Sequence, residues 1–222
     1  KPQIALLIPA KHLDRINYWF PERTRDDLSR ILRLIYEEQD LIVRDFLLVG
    51  FSHILKSCSL WLQGSTKPTR DKNRIPPAPV AVFKKHLMKM QNSNNAFFQV
   101  VPAEVRENLA NYLNLKIADA RHQPVADSSV DLIVSSSPYV TSYEYADLHQ
   151  LSTIWLDLAD DLADYRKDFI GTAAKKYERR SVASTIAQNI IAQMTVNSSK
   201  MAKEIEAFFL DMEDVFKESF RI

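Results

Sequence analysis

A chain of 222 residues, 46% hydrophobic and 26% charged, is long enough for one or two packed cores. Its three glycines, Gly50, Gly64 and Gly171, are too far apart for a glycine-rich phosphate or dinucleotide loop, and too few for a β-sandwich or barrel with glycine turns. The 29 Lys and Arg residues nearly balance the 28 Asp and Glu residues, so binding to nucleic acid must depend on a local basic patch. We therefore predict a mostly helical chain.

Cysteine, histidine and apolar runs exclude further classes. The single cysteine, Cys58, excludes a disulfide framework and a cysteine-based zinc site, and the histidines lack metal-ligand spacing, so no metal site is predicted. Apolar runs of a few residues exclude a transmembrane segment and a signal peptide. We expect a cytoplasmic chain that is a fragment or a processed product.

Two helices are predicted in the first part of the chain. The first follows Pro21, and the second covers about residues 43–62 and is closed by Gly64. Cys58 lies in the apolar stripe of the second helix, which indicates a core residue rather than a nucleophile. The aromatic run at residues 18–20 is also assigned to the core in preference to base recognition.

A basic, proline-rich segment separates these helices from two more. Residues 64–79 carry four prolines and no apolar period, which predicts a loop. A third helix ends at the polar break QNSNN, and a fourth follows Pro102. Two interpretations of the loop stay open. It is a solvated surface loop, or a loop that binds DNA phosphates through Lys67, Arg70, Lys72 and Arg74.

The pattern changes after residue 110. Residues 115–119 and 130–134 predict two short strands, followed by helices at about 145–158 and 160–168 and a long helix that begins near 181. The last helix carries an apolar stripe that needs a partner surface. We therefore divide the chain into a helical insertion, 1–110, with a role in target recognition, and a catalytic part, 111–222.

The segment VDLIVSSSPY, residues 130–139, is the best candidate for a functional site. A buried strand leads directly into a turn of serines, a rigid proline and Tyr139. Functional residues in open α/β sheets gather at the carboxyl ends of strands. The alternative, taken from this local pattern alone, is an ordinary β-turn with Tyr139 packed against a helix.

These residues, extended to VDLIVSSSPYVTSYEYADLHQL and preceded by IADARHQPVADSS, resemble the amino-group DNA methyltransferases, whose signature is a strand ending in Asp/Asn/Ser-Pro-Pro-Tyr/Phe/Trp. The resemblance is most specific over residues 115–150, and INYWFPE, the basic loop and the C-terminal VFKESFRI fit the same family. It implies an α/β, Rossmann-like class I methyltransferase fold that is α-rich and incomplete in this chain. The implied cofactor is S-adenosylmethionine, and the implied partner is double-stranded DNA.

The resemblance also implies a role for each residue of the turn. The side chain of Ser136 and the carbonyl of Ser137 accept the two hydrogens of an exocyclic amino group, which localises the nitrogen lone pair. Pro138 keeps the turn rigid, and Tyr139 stacks on the flipped base. Asp119, in LKIADAR, corresponds to the acid that meets the adenine of the cofactor. Lining of the base pocket and helix packing are equally good interpretations of Tyr143, Tyr145 and His149.

Ser137 departs from the family, which has two consecutive prolines where this chain has Ser137-Pro138. The carbonyl acceptor survives, but the first ring no longer fixes φ. Ser136 favours N4-cytosine over N6-adenine as the target. Two alternatives stay open, a non-catalytic or degenerate nucleic-acid-binding subunit of a methyltransferase complex and an RNA amino methyltransferase. Further expected partners are a complementing segment or subunit with the glycine-rich cofactor loop and a second copy of the chain.

Overall fold

The computed structural model describes residues 6–140, 145–172, 177 and 180–222. These residues are mostly helical, as predicted, and they divide into two compact units, Lys1–Asn114 with Asp147–Asp160 and Leu115–Ala146 with Asp161–Ile222. No helix in the described ranges is both long and apolar enough to cross a bilayer. The α-helices are α1 Leu13–Trp19, α2 Glu22–Glu37, α3 Leu41–Ile54, α4 Pro79–Val100, α5 Ala103–Glu107, α6 Leu109–Tyr112, α7 Tyr145–Trp155, α8 Leu162–Tyr165, α9 Thr185–Asn197 and α10 Ser199–Arg221.

Aromatic side chains form the centre of the first unit. Trp19 stacks on Trp61 with ring centroids 5.2 Å apart, and Trp155 receives the edges of Phe20 and Phe51 at 5.5 and 5.8 Å. All five are buried, and offset and edge-to-face pairs of this kind add to the free energy gained by burial. The core assignment of the aromatic run 18–20 is therefore confirmed for its second and third residues, while the first is half exposed.

The second predicted helix ends earlier than expected. Asp40 caps α3 by accepting the amide hydrogens of Ile42 and Val43, but the helix stops at Ile54, so the predicted extension to residue 62 with Gly64 as its closing residue is wrong. The helix stops because other hydrogen bonds compete with it. The guanidinium of Arg74 donates to backbone carbonyls just beyond the helix, which then do not accept helical hydrogen bonds.

Cys58 is buried even though it lies outside the helix. Its core assignment is therefore confirmed. Desolvation raises the pKa of its thiol to about 11, which keeps the sulfur protonated and weakly nucleophilic.

The break predicted at QNSNN does not occur. Helix α4 runs through residues 91–95, because Asn and Ser are weak helix formers but no proline follows before Pro102. Beyond Pro102 the single predicted helix is two short ones, α5 and α6, which are separated by the non-helical backbone of Asn108 (φ −129°, ψ 42°).

The two predicted strands are wrong for the described residues. Residues 115–119 and 130–134 pair with no other strand there, and Ile117, Leu132 and Val134 are largely exposed. A strand forms only against a neighbour that satisfies its amides and carbonyls. Here the amide of Val130 donates to the carbonyl of Ile222 instead, at 2.9 Å. The Rossmann-like sheet implied by the resemblance therefore stays a proposal.

The helix predicted from residue 181 is two helices. Ser198 ends α9 with an extended backbone, and its hydroxyl caps α10. Helices α9 and α10 pack against each other, with a small core of Val182, Ala187 and Leu210. How function divides between residues 1–110 and 111–222 stays a prediction.

Candidate active site

An open pocket of about 860 Å³ lies within the second unit. Three residues predicted from sequence, Asp119, Ser136 and Pro138, line it together with Tyr145. Residues that sequence reasoning did not select complete the lining, among them Arg121, Lys167, Asp168 and Phe169. Ser137 and Tyr139 are absent from the described lining, His149 belongs to the first unit, and Tyr143 lies outside the described residues.

Asp119 is held by Arg121. The guanidinium Nε donates to Oδ1 at 2.9 Å and Nη2 donates to Oδ2 at 2.6 Å, and the backbone amide of Arg121 donates to Oδ1 at 2.9 Å. These charge-assisted bonds hold the pKa of the Asp119 carboxyl below its ordinary value, so this side of the pocket carries a carboxylate at neutral pH.

A buried acid on α10 holds Arg121 in turn. Asp211 is 3% exposed and accepts a hydrogen bond from Nη1 of Arg121 at 2.9 Å and one from the amide of Gly171 at 2.6 Å. The hydroxyl of Tyr177 lies 2.9 Å from the same carboxylate, and burial with this contact raises its pKa. The turn that carries Asp119 is thereby fastened to α10.

Gly171 is required by both backbone conformation and space. Its φ is +75°, and a Cβ at this position would lie 2.8 Å from Cδ2 of Phe208. The glycine therefore lets the backbone come close enough to α10 for its amide to reach Asp211. Sequence reasoning missed this anchor, although an acid three residues after Phe208, within an apolar stripe, was a usable signal.

The serine turn is much less enclosed than the Asp119 turn. Ser136 and Ser137 are exposed, Pro138 is half-buried, and Tyr139 is 64% exposed. Ser136 borders the pocket, and a serine hydroxyl can both donate and accept a hydrogen bond. Aromatic residues also line the pocket, since Tyr145 and Phe169 border it and lie nearly parallel with centroids 6.3 Å apart, and Tyr165 meets Phe169 edge-on at 5.0 Å.

The pocket has features that suit an adenosyl cofactor. Its volume is within the ~300–1,000 Å³ typical of small-molecule sites. The carboxylate of Asp119 can accept hydrogen bonds from an amino group or ribose hydroxyls, while Tyr145 and Phe169 offer apolar ring surface. No group of three or more metal-ligating side chains occurs in the part of the chain that the structure describes.

The basic loop is in the first unit, and its four cations differ. The guanidinium of Arg74 donates to the carbonyls of Ser57 and Ser59 at 2.8 and 2.9 Å, and that of Arg70 lies 4.6 Å from the ring centroid of Tyr18. These two arginines hold the loop in place. The other two cations of the loop, Lys67 and Lys72, are exposed.

One known protein resembles the chain along most of its length. The chain is 24% identical to the type II methyltransferase M.MvaI of Kocuria varians over 230 aligned positions, which cover 94% of this chain and 50% of the relative. It therefore spans about half the length of that relative. No family model and no solved structure matches the chain. The similarity supports the methyltransferase class that the SSSPY segment indicates.

Proposed function

We propose that the chain carries the base-handling part of an S-adenosylmethionine-dependent DNA methyltransferase, of restriction–modification or orphan type, that modifies an exocyclic amino group. N4 of cytosine is favoured over N6 of adenine because Ser136 begins the motif. The observation that carries the proposal is that Asp119 and Ser136, 17 residues apart in sequence, line one pocket. The similarity to a type II methyltransferase supports the same class.

The chemistry explains the choice of side chains. An exocyclic amino nitrogen is a poor nucleophile because its lone pair is delocalised into the ring. The hydroxyl of Ser136 and the carbonyl of Ser137 accept its two hydrogens and direct the lone pair outward. Tyr139 stacks on the flipped base, and stacking at ~1–3 kcal/mol offsets much of the cost of extrusion.

The cofactor supplies an electrophilic methyl group on sulfonium sulfur. The amino nitrogen, oriented by Ser136 and Ser137, would take up that methyl group by direct displacement, the electron pair of the carbon–sulfur bond would leave on sulfur, and the proton lost from nitrogen would pass to solvent. No covalent bond to the chain is needed, which agrees with the burial of the single cysteine, Cys58. Asp119, held ionised by Arg121, accepts hydrogen bonds from the adenosyl part.

DNA phosphates and a further polypeptide complete the proposal. Lys67 and Lys72 are the cations of the basic loop that remain exposed for phosphate contacts. Because the three glycines are far apart, a complementing segment or subunit supplies the glycine-rich cofactor loop. The chain alone then binds the cofactor weakly.

Labelled methyl transfer tests the proposal. The chain, alone and mixed with a polypeptide that carries a glycine-rich cofactor loop, is incubated with duplex DNA and methyl-labelled cofactor. We expect label in the DNA of the mixture and N4-methylcytosine among its nucleosides. Absence of label in both samples would overturn the proposal, and transfer to RNA alone would favour the RNA methyltransferase.

A non-catalytic subunit is the second candidate function. Two observations favour it, the replacement of the family's first proline by Ser137 and the exposure of Ser136, Ser137 and Tyr139. This candidate predicts DNA binding without measurable affinity for the cofactor, even in the assembled complex. Equilibrium dialysis of the mixture with labelled cofactor distinguishes the two, because the enzyme retains cofactor and the scaffold does not.

A further inference from the structure

We propose that one face of α4 lies in the major groove of duplex DNA and reads part of the target sequence. This free face consists of exposed residues that lie within about 100° of one another around the helix axis, Lys84, Lys85, Met88, Asn92, Asn95 and Gln99. The inference rests on the proposed function, because it assigns the target-reading part of the same DNA methyltransferase.

The packing of α4 leaves this face open. Gly50 on α3 lies where the two helices meet, and a Cβ there would lie 2.8 Å from Cδ2 of Leu87, 3.4 Å from Sδ of Met90 and 3.4 Å from Cε2 of Phe83. These three residues mark the side of α4 that packs on α3. At 100° per residue the free face lies on the opposite side of the helix.

Charge is the first argument for DNA as the occupant. The 22 residues of α4 include Lys84, Lys85 and Lys89 and no acidic residue, although the whole chain is close to neutral. The helix is therefore a local basic patch of the kind that phosphates attract. Lys84 and Lys85 lie about two turns before Asn92, the first amide of the free face, which separates phosphate contacts from base contacts along one helix.

The amides are the second argument. Asn92, Asn95 and Gln99 are fully helical, exposed, and on the same side as Met88. Asn and Gln pair in a bidentate manner with the N6 and N7 edge of adenine, and an apolar side chain contacts the methyl group of thymine. Asn has a low helix propensity, so asparagines on an exposed helix face do little to stabilise the helix and indicate another role.

The dimensions agree with a groove-bound helix. An α-helix with side chains is about 10–12 Å across, and the major groove of B-DNA is about 12 Å wide. At a rise of about 1.5 Å per residue, the free face from Lys84 to Gln99 extends for roughly 22 Å. That is about two thirds of a helical turn of DNA, which admits contacts with several successive base pairs.

The lysine contribution is tested by the salt dependence of duplex binding. Lys84→Ala/Lys85→Ala is compared with Lys200→Ala/Lys203→Ala, a pair of exposed lysines on α10. Fluorescence anisotropy with a labelled duplex should show binding about tenfold weaker for the α4 variant, and a slope of log K against log salt reduced by about two. The inference would be overturned if the α4 variant bound the duplex with the affinity and the salt slope of the parent. It would also be overturned if the α4 variant lost binding to a single-stranded RNA but still bound the duplex as the parent does.

The amide contribution is tested by selection from a randomised duplex library. The parent should enrich a motif that contains A·T pairs, and Asn92→Ala/Asn95→Ala should lose the preference at those positions while keeping its overall affinity. The matched variant Asn189→Ala/Gln193→Ala removes two exposed amides from α9 and should enrich the parental motif. An unchanged motif in the α4 variant, or no motif in the parent, would contradict a reading role.

Both measurements need neither cofactor nor methyl transfer. If the Lys84→Ala/Lys85→Ala variant binds duplex DNA as the parent does, or the Asn92→Ala/Asn95→Ala variant enriches the parental motif, the inference on α4 fails while methyl transfer by the same protein still supports the enzyme. If the assembled enzyme transfers no methyl group while α4 binds DNA as described, the proposed catalysis fails and the DNA-reading surface stands. Circular dichroism of each variant establishes that its helix content equals that of the parent.

Discussion

Asp119 and Ser136 line the same pocket, but the structure holds them in different ways. The Asp119 turn is fixed through Arg121 to Asp211, a buried carboxylate that also accepts a hydrogen bond from the amide of Gly171. Ser136 lies in a turn that is exposed except for the half-buried Pro138. The proposed cofactor side of the site is therefore anchored to a buried carboxylate, whereas the proposed base side is open to solvent.

Breaking the anchor should have the largest effect. Asp211→Asn leaves the guanidinium of Arg121 with one carboxylate and removes the charged acceptor of the Gly171 amide. Removing one partner of a buried pair costs about 3–5 kcal/mol, so we expect a loss of this order in the free energy of unfolding. Urea denaturation measures it.

The control lies on the same helix. Asp214 pairs with Arg180, and the side chains of both are at least one third exposed. Asp214→Asn should therefore cost less than about 1 kcal/mol. Equal losses in the two variants would contradict the special position of the Arg121–Asp211 pair.

Gly171 tests the same anchor through the backbone. An alanine there would have to adopt φ near +75° and would meet Phe208 at 2.8 Å, so Gly171→Ala should destabilise the chain by about 2 kcal/mol. At Gly64 no heavy atom lies within 4 Å of an added Cβ, and Gly64→Ala should be nearly neutral. Thermal denaturation distinguishes the two, and similar midpoints would show that the close approach to α10 is not needed.

Ser137→Pro tests the serine turn, which is the base side of the proposed site. A proline fixes φ and restricts the preceding residue to extended backbone, so the acceptor turn should become more ordered. A better-positioned acceptor should raise the methyl-transfer rate about threefold, which corresponds to an activation barrier lower by ~0.65 kcal/mol. Ser137→Ala keeps the carbonyl without the ring and should transfer at the parental rate. No gain in the proline variant would favour the non-catalytic subunit.

The smallest expected effect is a pH dependence. Arg121 holds the pKa of Asp119 below its ordinary value, so this carboxylate stabilises the fold above pH ~4, and the stabilisation is lost as pH falls through the lowered pKa. When the pH falls from 5 to 3, the free energy of unfolding of Asp119→Asn should therefore decrease by about 0.5 kcal/mol less than that of the parent. The difference is small because the Asp119 side chain is 41% exposed and its charge is screened by solvent. Asp131→Asn, which removes an exposed carboxylate elsewhere on the chain, is the matched control.

Local periodicity predicted the helices but not where they end. Helix α2 follows Pro21 and buries Leu28, Ile31, Leu32 and Ile35. The end of α3 depends on Arg74, which lies some twenty residues later and donates hydrogen bonds to backbone carbonyls beyond the helix. A local sequence pattern does not contain such contacts. The strands failed for a related reason, because an apolar run becomes a strand only where another strand pairs with it.

The candidate site shows the same limit. Family resemblance selected Asp119 and Ser136, and both line the pocket. Asp211 and Phe169 were missed because their part in the site depends on contacts with distant segments, the first with Arg121 ninety residues away. An isolated acid in an apolar stripe can be recognised in a sequence, but the residue that pairs with it cannot.

Steady-state methyl transfer by the assembled enzyme tests most directly whether one pocket serves both cofactor and base. Asp119→Ala should raise KM for the cofactor with little change in kcat, since it removes binding energy present before and during reaction. Ser136→Ala should lower kcat about 100-fold with little change in KM, whereas Ser135→Ala should match the parent. Unchanged kinetics in both pocket variants, or equal changes in the Ser136 and Ser135 variants, would contradict a shared methyl-transfer site.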